Sequence, residues 1–181
     1  MATHTYNERA NDLYWTRDDL RNTDIIGFQG AREMMFRFTT AEGYPSHTKT
    51  IVQTGVDLRT VAHLDWTGQH QLGMVTLGKH RFPMTSLLQP GTPGSRARSR
   101  RFSLPRNGAF YEWRQDEADT SGWTLYDVYN ARIARFDPGP FKRAEVRGHM
   151  RYYWSDNGDD ELLLFALMAL MLNRWVLRYE L

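Results

Sequence analysis

The chain of 181 residues is sized for one domain, and its 41% hydrophobic and 13% aromatic content excludes disorder over most of its length. It has no cysteine, so disulfides and thiolate metal sites are excluded and a reducing compartment is mildly favoured. The formal net charge of +2 is too small to point to a nucleic-acid partner, although all but Lys49, Lys79 and Lys142 of its 23 basic residues are arginine.

Residues 1–21 read as a polar lead-in to a domain covering residues 22–181. The N-terminal stretch has no apolar core segment and does not resemble a secretory signal. Leu13, Tyr14 and Trp15 stand out in it, as a segment that docks on the domain or forms a short helix.

From Asp24 the pattern changes to short runs of period two. Met34, Phe36 and Phe38 share a face opposite Glu33 and Arg37. Ala62, Leu64 and Trp66 lie opposite His63 and Asp65, and Ala109, Tyr111 and Trp113 opposite Glu112 and Arg114. Such alternation marks strands with one wet and one buried face. Weaker strands are expected over Asp24–Gln29, Thr48–Thr54, Leu72–Leu77, His80–Met84, Arg98–Leu104, Trp123–Val128, Ala131–Phe136 and Ala144–Trp154. Asn107–Gly108 reads as a tight hairpin turn, Asp137–Pro140 as a chain stop, and Gln89–Ser95 as a loop or linker.

The end of the chain differs. Asp159 or Asp160 suits a helix cap, and the acidic residues beside them suit the positive end of a helix dipole. Eleven uninterrupted apolar residues follow, Leu162 to Leu172, and then Arg174 and Arg178 where cations are favoured. A helix apolar on every side is buried all round or lies in a membrane. As a helix the apolar run spans roughly 16 Å, against a hydrocarbon core of about 30 Å. The length therefore argues for burial, with insertion into a surface or a second copy as the other reading, and against a membrane span.

Many short strands followed by one all-round apolar helix are satisfied by a sheet wrapped around that helix. The pieces Asn22–Ile26, Met35–Thr40, Val61–Trp66, Ser99–Phe102, Gly108–Trp113, Ala131–Phe136 and Glu161–Leu164 occur in an order and spacing that resembles fungal domains of the tubby C-terminal-like superfamily. LURP-one-related proteins and phospholipid scramblases are more distant members. The resemblance implies a mostly β fold, a closed antiparallel barrel of about twelve strands around a central C-terminal helix. It implies no catalytic residue. Tubby-type relatives bind phosphoinositides through a basic surface site, whose residues do not align onto this chain.

Arg96, Arg98, Arg100 and Arg101 form the most suggestive segment: four guanidinium groups beside a Pro/Gly loop can hold phosphate. On a strand, Arg96, Arg98 and Arg100 share one face and Arg101 takes the other. The same run also reads as a solvated, charged strand. Lys79-His80-Arg81 and Lys142-Arg143 are shorter basic clusters. The histidines show no helical pair, and His63 with Asp65 is the only close His/carboxylate spacing, so no metal site is expected; no motif requires a cofactor. Two functions remain open. One is a non-enzymatic domain recognising anionic phospholipid headgroups, cytoplasmic and peripheral at membranes. The other is a small-molecule enzyme or hydrophobic-ligand carrier using an aromatic-lined pocket.

Overall fold

In a computed structural model, residues 10–41, 48–68, 70–93, 98–116, 121–154 and 160–181 are described. The strands are β1 (Asn11–Trp15), β2 (Thr23–Gln29), β3 (Arg32–Thr40), β4 (Thr48–Thr54), β5 (Arg59–Trp66), β6 (Met74–Leu77), β7 (His80–Pro83), β8 (Gln89–Pro90), β9 (Ser99–Ser103), β10 (Phe110–Gln115), β11 (Trp123–Tyr126), β12 (Arg132–Asp137) and β13 (Gly148–Tyr152). Among the described residues one α-helix, α1 (Asp160–Tyr179), follows the strands.

All thirteen strands belong to one sheet, ordered β7-β6-β5-β4-β3-β2-β1-β13-β12-β11-β10-β9-β8, and every pairing is antiparallel. The chain meanders outward from β1 to β7, then back from β8 to β13, which joins β1. The two edge strands are thus neighbours in sequence, separated by a 3-10 turn at Met84–Leu87. A flat sheet of this size would be roughly 60 Å wide. The chain from Pro83 to Gln89 reaches at most about 20 Å. The sheet must therefore curl until its edges approach.

The helix fills the space so made. Leu162 through Asn173 are buried without interruption, which covers its whole circumference. Inward side chains reach it from around the sheet: Trp113 Nε1 donates to the Ala166 carbonyl at 3.1 Å, and Phe82 stacks on Phe165 at 6.0 Å. Trp66 meets Trp175 at 4.8 Å, and Arg174 lies 4.7 Å over Phe136. At the opposite end, Arg32 grips Asp160 with two hydrogen bonds and Arg106 faces Glu161.

Four expectations need correction. The barrel is not closed by its ladder: β7 and β8 share no pairing, and the turn between them, with Met84 and Leu87 fully buried, packs in that gap. Among the described residues there are thirteen strands rather than about twelve. Leu13, Tyr14 and Trp15 are neither a docked tail nor a helix but belong to β1, at the middle of the sheet. Its close fit against β2 requires Gly27, where an added Cβ would stand 2.0 Å from the Asp12 carbonyl oxygen. The expected Gln89–Ser95 loop begins as β8, and its last two residues lie outside the described ones, as do Asp159 and Arg96.

At 20 residues, and with a mean hydropathy of 1.5 over its most apolar 18-residue window, α1 is long and apolar enough to cross a membrane, whereas the eleven-residue run alone is too short. In the fold, 72% of its most apolar window is buried, so the sheet occupies the place a lipid environment would take.

Candidate functional site at the C-terminal end of the helix

Pairing fixes which way each arginine of the basic segment points. Arg100 pairs with Trp113, which reaches the helix, so Arg100 is on the inner face. Phe102 follows on that face, fully buried. Arg101 pairs with Glu112 and points outward, its guanidinium 5.0 Å over the Phe110 ring. Arg98 continues the parity of Arg100 and donates to Gln115 Oε1 at 3.3 Å. The segment is therefore split: Arg98 and Arg100 stand at the rim around the end of α1, and Arg101 lies on the outer wall. Arg96 lies outside the described residues.

The helix brings further cations to that rim. Arg174 and Arg178 are four residues apart and share a helix face, where the negative end of the dipole favours them. Two clefts open side by side and share Trp123 and Leu177. One, of ≈ 370 Å³, is bounded by Arg98, Arg100, Asn173 and Glu180; the other, of ≈ 290 Å³, by Asp18, Ser121, Arg174 and Arg178. Leu177 and Leu181 are 37% and 52% exposed between these cations.

Burial pushes the Arg174 guanidinium down to about 10, opposed by Asp18 and reinforced by Arg178. It remains charged at neutral pH. Arg21, at the same end, is also lowered by burial and sits 4.4 Å over Trp175 and 5.3 Å over Trp66. Its Nη1 is buried with no hydrogen-bond partner. Asp18, Asp19 and Glu180 stand among these guanidinium groups, and Asp116 and Asp137, beside the second cleft, are held by Arg135. Sequence reasoning found Arg98 and Arg100 but not their neighbours. The four-residue spacing of Arg174 and Arg178 was the available signal.

Other candidates are less productive. Lys79-His80-Arg81 sits at the Leu77 end of β6 and β7, toward the start of α1, away from this rim. His63 and Asp65 share the outer face of β5, but Asp65 is engaged by Lys49 at 3.3 Å. His149 Nε2 lies 2.7 Å from Asp12 Oδ1 on the outer wall, where Arg151 binds the same oxygen and Tyr14 stacks on the ring. Among the described residues, no group of three or more His, Asp or Glu side chains could hold a metal ion.

The match that places the chain in a family runs over residues 18–155, from just before β2 to just past β13. The chain belongs to DUF6593, a family of unknown function. No curated protein matches the DUF6593 chain in sequence. A solved structure, a putative outer membrane lipoprotein-sorting protein domain from Vibrio parahaemolyticus, is similar at 10% identity over 88% of this chain and 94% of that one. The TM-score is 0.23, too low to carry an argument about fold or function.

Proposed function

We propose that this DUF6593 chain is a non-enzymatic binding domain that recognises anionic phospholipid headgroups at a cytosolic membrane surface. The contact is made through the end of the fold where α1 finishes. The observation that carries the reading is the convergence of Arg98, Arg100, Arg174 and Arg178 on two adjoining clefts, with Leu177 and Leu181 exposed among them. Guanidinium groups pair with phosphate oxygens by charge and by paired donors. The exposed leucines supply apolar contact with the acyl boundary. Headgroups with several phosphates, as in phosphoinositides, engage more of the arginines at once. The same proposal takes the curled sheet as a tubby C-terminal-like barrel, held closed by the Met84–Leu87 turn in place of a final ladder.

Each arginine near an anionic leaflet contributes about 1 kcal/mol, so replacing three weakens binding by roughly 100-fold at low salt. Co-sedimentation with vesicles of phosphatidylcholine, with and without phosphatidylserine or phosphoinositide, tests this. The parent is expected to sediment with the anionic vesicles and to be released as salt rises. A variant carrying Arg98→Ser, Arg100→Ser and Arg178→Ser is expected to stay in solution. A parent that ignores anionic vesicles at low salt, or a variant that binds as well, refutes the proposal.

A further inference from the structure

A second cavity is at the opposite end of the fold, where α1 begins. It measures ≈ 590 Å³, within the range of about 300–1,000 Å³ typical of small-molecule sites. Its floor is apolar: Met34 and Phe36 of β3, Leu77 of β6 and Leu164 of the helix. Its rim is charged, and most of that charge is spent internally. Arg32 holds Asp160, and Arg106 faces Glu161.

Arg59 is different, and the backbone places it. Val52 pairs with Ala62, but Gln53 pairs with Thr60 and Thr54 with Arg59, so Val61 is an extra residue in β5. Without that bulge, the alternation that turns Ala62, Leu64 and Trp66 inward would turn Thr60 inward and Arg59 outward. With it, Arg59 lies opposite Thr54 and Phe36, on the inner face and at the cavity wall. Bulges commonly serve to re-aim a side chain in this way. No ion pair or hydrogen bond engages the Arg59 side chain among the described residues. Asp57, the remaining rim carboxylate, has its Oδ1 folded back over the turn, where a Cβ on Gly55 would stand 2.7 Å from it.

We propose that this cavity binds a single amphiphile: an apolar body against Met34, Phe36, Leu77 and Leu164, and a carboxylate or phosphate on Arg59. The site is separate from the membrane-facing end and does not depend on it. An apolar floor with one unengaged guanidinium at its edge matches a ligand that is greasy along its length and anionic at one tip.

Isothermal titration calorimetry tests it with dodecanoate, dodecyl phosphate and dodecanol, each below its micellar or solubility limit. The parent is expected to bind dodecanoate or dodecyl phosphate saturably at one per chain, and the stronger of the two identifies the headgroup. Arg59→Ala, at an exposed position that should leave folding intact, is expected to weaken that binding by about tenfold or more. Arg143→Ala, an exposed cation outside both proposed sites, is expected to leave it unchanged. The inference is overturned if neither anion binds saturably, if dodecanol binds as tightly as the anions, if Arg59→Ala binds as well as the parent, or if Arg143→Ala costs as much as Arg59→Ala. Failure here leaves vesicle binding intact, and failure of vesicle binding leaves this titration intact.

Discussion

Truncation of Leu167 to alanine tests whether the helix is the centre of the core. Leu167 is 1% exposed and lies midway along α1, facing Trp15 of β1, Ile25 of β2 and Phe38 of β3. The existing void beside it is only ≈ 10 Å³, so the wall is already close-packed. The three facing residues sit on adjacent central strands tied by continuous pairing, which limits how far the site can collapse. Buried Leu→Ala changes cost about 2–5 kcal/mol, and rigid surroundings place this one in the upper half. For a chain of this length, that lowers Tm by about 7–20 °C. Leu177→Ala, on the exposed part of the same helix, should cost no more than about 0.5 kcal/mol. Leu167→Asp, which buries a carboxylate with no partner, should prevent folding. Thermal melts followed by circular dichroism and by tryptophan fluorescence read all three. A Leu167→Ala protein that melts within about 2 °C of the parent, or a Leu177→Ala protein equally damaged, would refute the enclosed-helix account.

Three further outcomes are expected. Burial opposes ionisation of Asp12, but hydrogen bonds from Arg151 and His149, and then their charges, outweigh it and hold the carboxyl below its ordinary value. Its contribution to stability is therefore complete above about pH 4 and is lost as pH falls through the folded pKa. Asp12→Asn should melt below the parent at pH 7, with the gap closing in acid; a gap that does not change with pH contradicts this. Arg174→Met should melt at or above the parent temperature, because a buried guanidinium that forms no ion pair among the described residues is replaced by an apolar chain of similar reach, while vesicle binding falls. A large loss of Tm would make Arg174 structural instead. The folded protein should remain in the supernatant after high-speed centrifugation without detergent, since α1 is covered by the sheet; recovery only from a detergent-extracted pellet contradicts this.

Most strands were legible because each has one inner face that must be apolar. In β3 and β5, Met34, Phe36 and Phe38, and Ala62, Leu64 and Trp66, announce themselves by spacing alone. Strand β1 was not legible: its inner positions include Asn11, whose amide donates to the Trp154 carbonyl while its oxygen accepts from the Gly30 amide, so polar satisfaction replaces an apolar signal. Strand β8 is two residues long and contains Pro90, leaving no period to read. The edge gap was hidden because alternation reports a face, not a neighbour. The arginine segment was visible, but its division between inner and outer faces depends on pairing with Trp113 and Glu112. Its convergence with Arg174 and Arg178 depends on the helix being threaded through the sheet. The turning of Arg59 into its cavity depends on one extra residue, Val61, which has the same identity in a regular strand as in a bulge.

The proposed function makes a claim about orientation, and the cysteine-free chain allows it to be tested directly. A single cysteine at Leu181, two residues past the end of α1, and a single cysteine at Val56, on the turn beside the cavity at the other end, can each carry an environment-sensitive fluorophore; both positions are exposed. On addition of anionic vesicles at low salt, the label at Leu181→Cys should shift to the blue and brighten, and the label at Val56→Cys should not respond. A response at Val56→Cys alone, equal responses at both positions, or none at either would contradict binding through the arginine-lined end.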